Sequence, residues 1–165
     1  VSYLLDSNIF IQAKNLHYGF DFCPAFWDWL EASHASGKVF SVEKVGDELI
    51  AGSDELAEWA AKRGRSFFLA PDPSMIPALG RVSAWASSPE RIYEPAAVNT
   101  FLQVADYYLI AHALAHGSIV VSHEKPDNSK KRVKIPDACI GLGITCMNPY
   151  EMLRREHARF IHGSS

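Results

Sequence analysis

Four acidic residues stand out for where they sit relative to the apolar runs of the chain. Asp6 stops the run Tyr3-Leu4-Leu5, and a second run, Ile9-Phe10-Ile11, begins two residues later. A buried parallel strand reads this way when it delivers a carboxylate to its carboxyl end and turns at once into a helix. Ligands of open α/β sheets bind in the crevice outside those ends. A helix cap explains Asp6 equally well. Glu48 shares a helical face with Val45, Leu49 and Gly52, on or beside an apolar stripe, whereas Asp47 is expected to point away. Asp106 falls on one face with Leu102, Leu109, Ile110 and Ala113. A carboxylate inside an apolar stripe is costly unless it is paired with a cation or bound to a metal. A buried ion pair with Arg or Lys is the plain alternative. Glu124 repeats the logic of Asp6, following the run Ile119-Val120-Val121-Ser122-His123. Asp127 and Asp137 lie close behind it, and either can complete the group; solvation in a loop or helix capping accounts for them otherwise.

Carboxylates brought together repel one another unless a cation neutralises them. An oxygen-rich site that retains water suits Mg²⁺ or Mn²⁺. Such an ion activates water and stabilises a leaving alkoxide in an in-line phosphodiester displacement.

The elements that must position these acids can be read from the same runs. Short apolar segments at Tyr3–Asp6, Lys38–Ser41, Ser66–Ala70, Ser118–Ser122 and Ile144–Met147 are expected strands covered on both faces. Helical patterns separate them, at Pro24–Ala35, Glu43–Ala51, Asp54–Lys62, Ser74–Ala86, Ala96–His116 and Tyr150–Phe160. Strands alternating with helices predict an α/β fold, a three-layer α/β/α sandwich with a mainly parallel central sheet of about five strands. Right-handed crossovers then bring the carboxyl ends of the strands to one edge. The aromatic segment Gly19–Trp29 reads as core or dimer packing, because Phe26, Trp27 and Leu30 have helical spacing.

With 165 residues, one domain spanning the chain is expected. The net charge of −3 argues against nucleic-acid binding by overall charge and leaves a local basic patch open. Three cysteines without a CxxC pair fit reduced thiols in a cytoplasmic protein. Neither a signal peptide nor a membrane span is expected. Lys125, Lys130, Lys131, Arg132 and Lys134 crowd the segment after Glu124, where a flexible basic loop would grip a phosphate backbone. Solvation is the commoner fate of such a charge run. His112 and His116 have the i, i+4 spacing that can hold Zn²⁺ on one helical face, but no third ligand is evident. They read as surface or supporting histidines. The pair Gly141 and Gly143 reads as a helix end, not a phosphate loop.

Taken in order, Leu-Leu-Asp6-Ser-Asn-Ile, Asp47-Glu48-Leu-Ile-Ala-Gly52, Asp106-Tyr-Tyr-Leu-Ile-Ala-His-Ala and Ile-Val-Val-Ser122-His-Glu124 resemble the acidic signature of the PIN domain. The style is similar to a branch close to the bacterial VapC toxins of toxin–antitoxin pairs. The resemblance implies a Mg²⁺- or Mn²⁺-dependent ribonuclease that is a homodimer. Its partners would be a structured RNA such as tRNA or rRNA and a cognate antitoxin. It carries metal-binding and catalytic roles to Asp6, Glu48, Asp106 and Glu124. Asn8 and Ser122 match the small polar positions that support the first acid. Glu124 departs from the Thr-x-Asp pattern usual at the fourth position; Glu can reach a metal through one more methylene, or Asp127 can take over. An RNA-processing nuclease, an inactive PIN-like binding module and a receiver-like Mg²⁺ phospho-switch are the rival readings.

Overall fold

The structure is a computed structural model, and it describes residues 1–162. Five strands form a wholly parallel sheet: β1 Tyr3–Leu5, β2 Val39–Val42, β3 Phe68–Leu69, β4 Ile119–Val121 and β5 Cys146–Met147. Their spatial order is β3-β2-β1-β4-β5. The helices are α1 Ser7–Gln12, α2 Pro24–Ala35, α3 Glu43–Ile50, α4 Glu55–Phe67, α5 Met75–Ala86, α6 Pro95–Phe101, α7 Ala105–His116, α8 Ile135–Leu142 and α9 Pro149–Arg155. They flank the sheet in a three-layer α/β/α sandwich, with α7 packed on β2 and β4 and α5 and α8 packed on α7.

The all-apolar strands β1 and β4 are buried at every position, as strands covered on both faces must be. Register sets the depth at which their ends emerge. Leu5 pairs with Val121, Asp6 N donates to Val121 O at 2.9 Å, and Ser122 N donates to Met147 O at 3.0 Å. The chain leaves β1 towards β2 and β3 on one side and returns to β4 and β5 on the other. The order therefore reverses between β1 and β4, which is where an open α/β sheet forms its crevice. Asp6 and Ser122 are the first residues past those two strands.

The expected helix over residues 96–116 is two helices. The chain leaves helical geometry after Phe101, and extended Val104 precedes α7. No Gly or Pro marks the break, and Leu102 packs on the core beside buried Phe101, so the apolar period runs straight across it. Asp106 consequently sits in the first turn of a helix, not in the middle of one. The third strand is shorter than expected because α4 continues past a kink at Gly64 (φ 62°) to Phe67. Ile135-Pro136 forms the first turn of α8, with Pro where the missing N–H is harmless. Phe26, Trp27 and Leu30 are buried, and Tyr18 stacks on Phe26 at 4.5 Å, so these helical positions are core, whereas Phe22 in the same aromatic segment is exposed. The three cysteines are unpaired. Among the described residues, no helix is long and apolar enough to cross a membrane.

Candidate metal centre

Asp6, Glu48, Asp106 and Glu124 line one cleft of about 810 Å³. Each comes from a different place in the fold: the end of β1, the last turn of α3, the first turn of α7 and the segment after β4. Asp6 is only 3% exposed. It caps α1 and also lines the cleft, so the cap and a place at the candidate site are compatible. Its Oδ1 accepts from Ser7 N at 2.7 Å at the start of α1, and its Oδ2 accepts from Ser122 Oγ at 2.8 Å.

Ser122 fixes three groups at once. Its single proton goes to Asp6, while its lone pairs accept Asn8 Nδ2 at 3.3 Å and Glu124 N at 3.0 Å. Asn8 closes the ring by accepting His123 N through Oδ1 at 3.2 Å. The carboxyl ends of β1 and β4 are thus tied together by side chains, and the orientation of Asp6 is set from both sides.

The electrostatics of the cleft are those of crowded acids. Burial first, then the charge of Asp106, pushes the Asp6 carboxyl up to about 7, against the hydrogen bond from Ser122. Burial and the charge of Glu124 raise Asp106 to about 6, with Arg132 opposing. The first-turn position of Asp106 favours a negative charge by about 0.3–1 kcal/mol. Its rise from 3.8 to about 6 corresponds to about 3 kcal/mol the other way, so burial and repulsion win. Glu124 is raised by burial, again with Arg132 opposing. Its Oε1 is buried without a hydrogen-bond partner, and the Arg132 guanidinium approaches it only to 3.5 Å. Asp106 and Glu48 enter no ion pair among the described residues, so the buried Arg or Lys partner considered for Asp106 is not there.

Two or three buried oxygens under mutual repulsion, one of them without a partner, form a donor set that fits a hard divalent cation. Asp6, Asp106 and Glu124 would hold it most directly; Glu48, exposed on α3, would reach in from the mouth of the cleft.

Several expectations divide at this point. Asp47, expected to point away, also lines the cleft. Asp127 does not line it: its Oδ1 accepts from Ser129 N at 3.1 Å and its Oδ2 lies 3.9 Å from Lys134 Nζ. Asp137 accepts from Asp127 N at 3.0 Å and likewise stands outside. Of the basic residues, Lys131 and Arg132 line the cleft, whereas Lys125, Lys130 and Lys134 do not. In their loop the Asp137, Asp127 and Ser129 side chains accept from the backbone N–H groups of Asp127, Ser129 and Lys131, and Glu94 N donates to Lys130 O at 2.9 Å.

Lys44 lines the cleft and was missed; its i, i+4 spacing to Glu48 on α3 was the available signal. Thr100 and Gln103 also line it, and no sequence signal marks them, since the break after α6 is silent.

Residues 3–160 match a family described as Domain of unknown function (DUF4411). The chain belongs to that family. No curated protein and no solved structure matches it. The acidic cleft of this DUF4411 domain is thus framed by its own geometry: an α/β sheet, its reversal point, and four carboxylates converging there.

Proposed function

We propose that this chain is a divalent-metal-dependent endoribonuclease on a PIN-like fold, the toxin of a toxin–antitoxin pair. The observation that carries the reading is the meeting of four carboxylates from four elements in one cleft at the sheet's reversal point. Asp6, Glu48, Asp106 and Glu124 would hold Mg²⁺ or Mn²⁺. When bound, the ion supplies positive charge to the phosphoryl oxygens and makes water a stronger acid for in-line attack. Ser122 and Asn8 keep Asp6 in one orientation. A carboxylate would orient or deprotonate the attacking water, and Glu124, whose Oε1 is buried without a hydrogen-bond partner, would serve. Lys44, Lys131 and Arg132 rim the cleft and would hold phosphates on either side of the scissile bond. Structured RNA such as tRNA or rRNA, a cognate antitoxin covering the cleft and a second copy of the chain are the partners this reading entails.

The strand order argues against the receiver-like switch, whose sheet runs 2-1-3-4-5. An RNA-processing nuclease would use the same cleft and the same chemistry, and differs in lacking an antitoxin.

The test is cleavage of tRNA and rRNA by the purified chain with Mg²⁺ or Mn²⁺ and with chelator. Asp6→Asn and Asp106→Asn should each lower the rate by about 100-fold or more. Cleavage that survives in both variants, or that ignores chelator, overturns the assignment.

A further inference from the structure

α7 carries a second cluster of ligating side chains at the end opposite Asp106. His112 and His116 lie one turn apart with ring centroids 4.5 Å apart. The fold supplies the third group that the sequence could not: Asp72, from the segment joining β3 to α5. One ring nitrogen from each histidine and one Asp72 oxygen lie within 4.8 Å of one another. His116 Nε2 stands 2.8 Å from Asp72 Oδ2 and 3.3 Å from Ser74 Oγ. Asp72 Oδ1 in turn accepts from the hydroxyl and the N–H of Ser74, so the carboxylate is oriented. A cavity of about 310 Å³ opens beside the three, with Leu4, Phe40 and Leu69 on its walls.

His112 is the second observation. It is 6% exposed, and its Nδ1 is buried without a hydrogen-bond partner. A polar nitrogen left unpaired in a buried position is destabilising, because it has lost water and gained no partner. The ring is thus held out of water with coordination capacity to spare.

We infer that Asp72, His112 and His116 form a binding site for one Zn²⁺-class cation, separate from the acidic cleft. Two imidazoles and one carboxylate select a borderline ion such as Zn²⁺ or Co²⁺ over Mg²⁺. Tetrahedral Zn²⁺ with bonds of about 2.0–2.1 Å needs ligand atoms about 3.3 Å apart. The His116–Asp72 pair therefore opens slightly and the widest gap closes by about 1.5 Å, within the reach of side-chain rotation. Water or Ser74 Oγ completes the set. The cation clamps the segment before α5 to the last turn of α7, where a positive charge also suits the helix dipole. Its role is to brace the helix whose other end carries Asp106. The inference does not rest on the acidic cleft being a nuclease.

The test uses the full chain, stripped with chelator and titrated with Zn²⁺ by calorimetry and with Co²⁺ by visible absorption. One equivalent should bind, with the absorption of a tetrahedral Co²⁺ site, and Zn²⁺ should raise Tm. His116→Ala and Asp72→Asn change side chains away from the core and should each weaken binding by about tenfold or more. The double variant Asp6→Asn/Asp106→Asn should bind Zn²⁺ as the parent does. No binding by the parent, or binding unchanged in His116→Ala and Asp72→Asn, leaves a His–Asp ion pair only and overturns the site. Loss of the ion in the Asp6→Asn/Asp106→Asn chain places it in the acidic cleft and overturns the site as well.

Discussion

At its first turn α7 presents Asp106 to the cleft that Asp6, Asp47, Glu48 and Glu124 also line; at its last it presents His116 to Asp72 beside buried His112. The two clusters lie about 15 Å apart along one helix, ten residues at 1.5 Å each. They handle charge in opposite ways. In the cleft every nearby ligand is an acid, and Asp6 and Asp106 are driven up to about 7 and about 6. At the other end the hydrogen bond from Ser74 and the neighbouring His116 hold the Asp72 carboxyl below its usual range. In the histidine cluster the carboxylate is thus satisfied and the unmet group is the buried Nδ1 of His112, while in the acidic cluster it is the carboxylates themselves that repel. Crowded buried acids of that kind serve a fold poorly, which is why the proposed function gives them a cation.

The largest expected effect that can break this contrast is the response to Asp106→Asn. Removing one charge from the crowded cleft should abolish RNA cleavage, by about 10²–10⁴-fold, and yet raise the Tm of the chelator-treated chain at pH 8. A variant that loses both activity and ion-free stability would mean that Asp106 holds the fold together, and that the repulsion inferred from its surroundings is compensated elsewhere.

Next in size is the pH dependence of stability without divalent ions. A carboxyl raised in the folded state binds its proton more tightly there than in the unfolded chain. Its stabilisation is complete below the unfolded value of 3.8 and is lost as pH rises through about 6 for Asp106 and about 7 for Asp6. Asp72 works with the opposite sign: lowered when folded, it contributes above its unfolded value and ceases to contribute on acidification. Thermal melts in chelator should fall between about pH 4 and pH 7, and millimolar Mg²⁺ should flatten the fall. Asp6→Asn should flatten it without the ion, and Asp72→Asn should alter only the acid limb. A curve that rises across the same interval would contradict the reading of the cleft.

Much of this contrast was legible in the sequence at one end of α7 and little at the other. Asp6 and Glu124 announced themselves because an apolar strand must end somewhere, and the sheet fixes the position of the residues just past that end. The parallel sheet could be read from the same runs, since strands buried on both faces leave a continuous apolar signature. Asp106 was singled out for an argument that proved half right. It lines the cleft, but from a helix start, because apolar Leu102 continues the period across a break that no residue type signals. The histidine pair was visible and its partner was not. Asp72 reaches His116 only through the packing of the segment before α5 against α7, a contact 44 residues apart in the chain. In the basic loop, Asp127, Ser129 and Asp137 bind backbone N–H groups at the surface, and composition does not distinguish such a segment from one without these bonds.

A smaller effect can separate the two regions by geometry instead of charge. Gly46 lets α3 approach β3 closely: a Cβ there would lie 2.8 Å from the Phe68 ring. Gly46→Ala should destabilise the chain by about 1–3 kcal/mol by overpacking and push α3, with Glu48 and Lys44, off the cleft. Cleavage should fall more than stability alone explains, while Zn²⁺ binding at the far end of α7 stays within about twofold of the parent. Calorimetry and cleavage rates on the same preparation would separate the two. Equal losses at both ends would show that the regions are coupled through β3.

The smallest effect concerns how the cleft meets its polyanion. Lys131 lines the cleft, whereas Lys125 and Lys130, from the same basic run, do not. Each phosphate neutralised on a single strand contributes about 0.7 to the slope of log affinity against log salt. Lys131→Ala should lower that slope by about 0.7, with a loss of binding of a few-fold near physiological salt. Lys125→Ala should leave it unchanged if the cleft, and not the whole loop, sets the path of the RNA. Equal slopes for the two variants would mean that the strand runs along the loop's outer face. The scissile phosphate would then have to enter past Glu48 at the mouth instead of past Arg132, and the division of labour between acids and bases in the cleft would need to be redrawn.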